Sequence, residues 1–251
     1  MQWDFMAIYL GPYDYEEPPA APTPQWAARR KLGTALRRIN ELAVTSSADI
    51  KTLEAMTALI NEQADCLAKT PQLLGKLAHM DPDQDHFQEG SIVSHEISAL
   101  TGLCNPITAP LHLWIAGDEV HGKVTMGWQF EGPPGFVHGG FVAALFDDFL
   151  GMGQKLTDQP GFTGTLSVRY IKPTPLAQEL RLYGRVHRVE GRKNILRGEM
   201  YAGDTLTASC EGLFIRMPKD YLQKVKAEAQ SLEQSEAKQT AANGDGSTHS
   251  A

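Results

Sequence analysis

Between His138 and Leu156 the chain reads HGGFVAALFDDFLGMGQKL, and at 3.6 residues per turn Phe141, Val142, Leu145, Phe146, Phe149, Leu150 and Met152 fall on every side of a helix. A helix that is apolar all round must be enclosed. The segments able to enclose it are β-branched and aromatic and are divided by turn formers. LHLWI and EVHGKVTMGWQF come before the helix; FTGTLSVRYIKP, LRLYGRVHRVE, ILRGEMYAG and LTASCEGLFIRMP come after it. One long helix followed by four consecutive strand segments predicts an α+β fold, an antiparallel sheet curled around a single central helix.

Upstream the pattern differs. Residues 1–25 mix aromatics, acids and prolines and are expected to form an extended arm. From Trp26, the residues Leu32, Ala35, Leu36, Ile39, Leu42 and Ala43 recur at helical steps, with Arg29, Arg30, Lys31, Arg37 and Arg38 between them. That spacing predicts an amphipathic helix whose basic face is solvated or, as the alternative, docks on a partner or membrane surface. Ser46 and Asp49 resemble a capping box that opens a second helix, striped by Ile50, Leu53, Met56, Ile60, Ala64 and Leu67. The expected organisation is therefore an arm (1–25), a helical hairpin extension (26–85), the sheet-and-helix domain (86–220) and a largely disordered polar tail (221–251).

Composition narrows the function. With 23 Lys and Arg against 30 Asp and Glu the net charge is −7, which argues against a nucleic-acid binder. Cys66, Cys104 and Cys210 are scattered and form no CxxC pair, so neither a disulfide framework nor a metal site is expected. No apolar run approaches the roughly 20 residues of a membrane span, and the start lacks the basic flank of a secretory signal, so a cytoplasmic protein is expected.

Within the central helix, Gly140, Ala143, Ala144, Asp147 and Gly151 share one face of small residues, whereas Asp148 lies beside Phe141, Leu145 and Met152. A buried carboxylate needs donors, water or an edge, and the small-residue face leaves room for a substrate beside Asp147. His138 stands at the N-cap position, and Gly139 and Gly140 open the first turn with backbone N–H groups suited to a developing oxyanion. Asp147 then qualifies as base or nucleophile. The plainer alternative is a capped helix start in which His138 bonds local backbone and Asp147 pairs with an arginine.

GPPGFVHGG, the Asp nine residues after its His, TGTLSVRYIKPTPL and VHRVEGRKNILRGEMYAGDTLTASCEGLFI occur in that order. Together they resemble the hotdog-fold acyl-CoA thioesterases of the PaaI and THEM type, within the 4-hydroxybenzoyl-CoA thioesterase superfamily. The resemblance spans about residues 110–217 and implies a hotdog fold and hydrolysis of an acyl-CoA to acid and CoA, with no cofactor. It implies Asp147 as the catalytic carboxylate and Gly139, beside His138, as the carbonyl-polarising amide. Thr163 would be a water-positioning hydroxyl contributed across a dimer interface. Arg169, Ile171, Arg192, Lys193, Asn194, Ile195, Leu196 and Arg197 fall on CoA-contacting positions. Gly132 and Pro133 stand where some members carry an assisting Asn or Gln, and Ile171 where a lysine occurs.

A hotdog hydratase would need a His soon after Asp147, and none occurs before Leu156. A metal hydrolase would need further clustered ligands beside His138 and Asp147. A non-catalytic acyl-CoA-binding module remains the alternative of a different class. The expected assembly is a homodimer at least, with a tetramer left open.

Overall fold

A computed structural model of the chain describes residues 16–80, 90–107, 109–157 and 161–218; the readings placed on residues 1–15, 81–89 and the tail from 221 lie outside the described residues. Helices α1 (Pro24–Thr45), α2 (Ile50–Ala68), α3 (Gly75–His79) and α4 (Gly90–Ile97) come first, followed by strands β1 (His112–Ala116) and β2 (Glu119–Thr125). The central helix α5 (Gly139–Gly153) precedes β3 (Gly161–Tyr170), β4 (Glu179–Glu190), β5 (Lys193–Ala202) and β6 (Thr205–Arg216). The strands form one sheet in the order β1-β2-β4-β5-β6-β3, every neighbouring pair antiparallel. One expected strand is shorter than its pattern. MGWQF leaves the ladder and makes a single 3-10 turn at Trp128–Phe130, whose Trp128 N–H donates to Glu41 Oε1 on α1.

The sheet wraps α5 as its apolar circumference demands. Val142, Leu145, Phe146, Phe149 and Leu150 are wholly buried. Phe149 fits because three adjacent strands present glycine beneath it. A Cβ at Gly122, Gly184 or Gly198 would lie 3.3, 2.7 or 3.1 Å from its ring. Gly184 and Gly198 are register partners, so the groove runs straight across β4 and β5. Strand alternation supplies the rest of the wall, with Leu180 and Leu182 on β4 and Leu196 and Met200 on β5 turned inward.

The upstream helices belong to the same unit, which extends to Arg216 (a second begins at Met217), so the boundary expected between residues 85 and 86 falls inside it. The docking side of α1 is the reverse of a simple amphipathic reading. Trp26 and Gly33 are buried on the domain side, where a Cβ on Gly33 would strike the Cys104 carbonyl oxygen at 2.6 Å. Arg30 and Arg37 point the same way. Arg30 pairs with buried Glu96 on α4, and Arg37 donates to the Leu103 and Asn105 carbonyls. The expectation of a wholly solvated basic face is thus corrected, since a buried carboxylate and two loop carbonyls need cationic donors. Leu32 and Leu42 of the apolar stripe face solvent instead.

The capping box is also corrected. Ser46 closes α1, while Asp49 itself is the N-cap of α2 and accepts from Thr52 N–H at 2.8 Å. Every residue of α2 is exposed. Among the described residues no helix is long and apolar enough to cross a membrane.

Candidate active site

The loop GPPGFVH reaches α5 through a tight turn. Phe136 N–H donates to the Pro133 carbonyl, and Gly135 adopts φ +83°, a conformation that side chains disfavour. Glu131 Oε1 accepts from Gly135 N–H at 2.6 Å and holds the turn shut. Two backbone bonds, His138 N–H to Phe130 O and Val137 N–H to Thr174 O, then fix where the helix starts. Gly132, where an assisting amide side chain was looked for, packs on His138 instead; a Cβ there would come within 2.7 Å of the His138 Cα.

His138 is the N-cap, and its Nδ1 accepts from Gly140 N–H at 3.0 Å. That matches the plainer alternative for this residue. With Gly140 satisfied, the Gly139 N–H has no acceptor among the described residues and is the donor left for a substrate oxygen. Tyr170, at the end of β3, donates its hydroxyl to the Gly139 carbonyl at 2.8 Å and so steadies that peptide. Sequence reasoning missed Tyr170. Its signal was slight, an aromatic at the end of an exposed strand just before Ile171, Lys172 and Pro173.

Two turns on, Asp147 is exposed and accepts a hydrogen bond from Thr163 Oγ1 at 2.7 Å. Among the described residues no arginine claims it. The bond is made within one chain. A bulge in the β3–β6 register falls between Thr163 and Thr165, beside this contact. Asp148 has a different environment. Burial pushes its carboxyl above the usual range and neighbouring Asp147 adds to this, while Lys76 of α3 and the Thr101 hydroxyl oppose it. Lys76 is itself held by Ser98 at 2.8 Å, and burial lowers its ammonium pKa.

The spacing within α5 limits what one chain can do. Gly139 and Asp147 are eight residues apart, about 12 Å along the axis, too far for both to serve one small carbonyl group and its attacking water.

The expected CoA-contacting residues divide by strand face. Asn194 and Leu196 are wholly buried. Asn194 donates to Gln154 Oε1 and Thr157 Oγ1 and ties the end of α5 to β5, and the Leu196 side chain packs where a Cβ on Gly153 would be. Ile195 is nearly as buried. These three side chains are therefore not available at the surface: alternation turns Asn194 and Leu196 to one face, and Ile195, on the other, is covered as well. Arg192 and Lys193 are exposed at the β4–β5 turn, with Arg192 Nη2 donating to the Arg216 carbonyl. Thr163 and Asn194 both register with Phe214 of β6, so this turn lies at the same end of the sheet as Thr163, about 10 Å across two strand spacings. Arg169 and Arg197 line a surface depression of about 300 Å³ in which Arg197 pairs with Glu211 at 2.8 Å. Ile171 is exposed at its edge strand's end, and its N–H donates to the Thr207 carbonyl.

Comparison with known proteins places this arrangement. Residues 134–209, from the turn before α5 into β6, match the family described as Thioesterase superfamily, and the antiparallel sheet around α5 has the hotdog fold. The acyl-coenzyme A thioesterase THEM4 of Xenopus laevis is 33% identical over 93 residues, 36% of this chain and 42% of that protein. THEM4 of Rattus norvegicus is 32% identical over 96 residues, 38% and 41% of the two chains. The match thus spans about two fifths of the length of these curated relatives. A crystal structure of a thioesterase superfamily protein superposes with a TM-score of 0.64 at 29% identity, covering 79% of this chain and 93% of that one.

Proposed function

We propose that this protein hydrolyses acyl-CoA thioesters. The observation that carries the reading is the carboxylate of Asp147 on a face of small residues, held by Thr163 at 2.7 Å and left open to solvent. Asp147 takes a proton from a water that Thr163 helps to position, and the water oxygen adds to the thioester carbonyl carbon. The resulting oxyanion is held by a Gly139 N–H, and collapse expels CoA as its thiolate. Water is the co-reactant, and the steps use no metal or organic cofactor.

Because one α5 separates Gly139 from Asp147 by about 12 Å, the Gly139 amide serving an Asp147 comes from a second copy, and the working unit is a homodimer. Strand β3 supports this: it is an edge strand, exposed at Phe162, Thr163 and Tyr170, and pairing such edges covers them. The phosphates of CoA are proposed to meet Arg192 and Lys193 at the sheet end beside Thr163, with Arg169 and Arg197 as a second basic pair.

Thiol release from a panel of acyl-CoAs of increasing chain length tests the assignment. Hydrolysis by the native chain and its loss in Asp147→Asn, with the fold retained, are the expected results. Tight binding without CoA release would identify an acyl-CoA-binding module instead. A single turnover in ¹⁸O-water that leaves label in the Asp147 carboxylate would show an acyl–Asp147 anhydride opened at the Asp147 carbonyl, and so a nucleophilic Asp147.

A further inference from the structure

Helix α2 is a 19-residue element with no buried residue, and every one of its residues is exposed among the described residues. Its composition is not that of a solvated helix. On a helical wheel Ile50, Leu53, Met56, Ile60, Ala64 and Leu67 fill one side, and Lys51 and Glu62 lie opposite. Leu53, Ile60 and Leu67 are 48%, 42% and 53% exposed, so the stripe is uncovered along its whole length. Helices of this length draw most of their stability from packing an apolar face, and here no described residue supplies the packing.

A matching stripe is uncovered on α1. Because α1 docks through Trp26, Gly33, Arg30 and Arg37, its other side, with Leu32 and Leu42, points outward. Exposed Lys31 and Arg38 border that stripe, whereas exposed Glu54 and Asp65 border the stripe of α2. The two surfaces complement each other in charge as well as in apolarity. They do not meet within one chain: the linker between them is four residues, 46–49, and it is extended at both ends, with ψ 146° at Ser46 and ψ 165° at Asp49. An anionic membrane surface is a poor partner, since acids outnumber bases on the polar face of α2 and the chain carries a net charge of −7.

We propose that α2 is exchanged between two copies of this chain, its apolar stripe lying along the outer stripe of α1 of the second copy, and the reverse. The 46–49 linker is the hinge of this exchange. The inference uses no feature of the active site and holds whether or not thioester hydrolysis is found.

Photo-crosslinking from α2 tests it in the full chain. Ile60→benzoylphenylalanine, at an exposed position, should give on irradiation a band of twice the chain mass on a denaturing gel. Peptide mapping should place the adduct on residues 32–43. The double substitution Leu32→Glu with Leu42→Glu, also at exposed positions, should cut that band at least fivefold while leaving the native circular dichroism spectrum unchanged. An adduct at single-chain mass, an adduct on α2 of the second copy or on a different protein, or no adduct at all would each overturn the exchange.

Discussion

Arg30 and Glu96, 66 positions apart, are joined through the Arg30 Nε at 3.1 and 3.0 Å to the two carboxylate oxygens, and the Glu96 side chain is only 1% exposed. The Cys104 thiol donates to the same carboxylate at 3.1 Å. This cluster clasps α1 to α4, so the N-terminal helix is part of the fold's stability and not an ornament on it.

Glu96→Ala should therefore destabilise the protein by about 3 kcal/mol, the usual consequence of removing one member of a buried pair. Urea denaturation checks the magnitude. Limited proteolysis checks the site, because cleavage between residues 24 and 45 should accelerate before the sheet unfolds.

Thr163→Val keeps the shape of the side chain and removes the donor to Asp147. On the proposed mechanism kcat falls by about 10- to 100-fold, with a smaller change in KM, since a lost positioning bond costs on the order of 1.5–3 kcal/mol when one partner is charged. Stability should change little because Thr163 is exposed.

Tyr170→Phe tests whether the Gly139 peptide must be held. The substitution removes the 2.8 Å bond to the Gly139 carbonyl and leaves the ring in place. A several-fold loss of kcat with an unaltered melting temperature is expected. Gly139→Ala is sterically compatible with the fold, since its Cβ would sit 3.4 Å from the Tyr170 ring, an ordinary contact. It should nevertheless slow turnover by crowding the approach to the amide.

Burial holds the His95 imidazole down to about 4, with Glu96 opposing and Arg30 and His112 adding to the effect. In the unfolded chain it titrates near the ordinary 6.5, so as pH falls below that value the unfolded state takes up a proton that the folded state refuses. Stability present at pH 7 is lost between about pH 6.5 and pH 4, by about 2 kcal/mol at pH 5. Urea midpoints at pH 7 and pH 5 measure the loss, and His95→Gln should flatten it.

Much of the architecture was legible from residue type and helical period. β-Branched and aromatic segments between turn formers marked all six strands, and the all-round apolarity of residues 141–152 marked the one helix they enclose. The turn before α5 was legible through its glycines and prolines. The orientation of α1 was not, because an apolar stripe says which face could be buried and nothing about a carboxylate 66 residues away that claims the opposite face. Reading residues 192–197 as one ligand-contacting block likewise passed over strand alternation, which sends Asn194 and Leu196 into the interior. Tyr170 and the in-chain pairing of Thr163 with Asp147 depend on where β3 lies against α5, and strand order is not written in any local pattern.

The eight-residue separation of Gly139 and Asp147 on one helix has a genetic consequence. If each site draws its amide from one subunit and its carboxylate from the other, an allele defective at Gly139 and an allele defective at Asp147 damage different halves of every pocket. Co-expressed, two inactive gene products would assemble some mixed dimers with one intact pocket each, and a measurable fraction of wild-type hydrolysis should return. Two alleles both defective at Asp147 could never rescue one another.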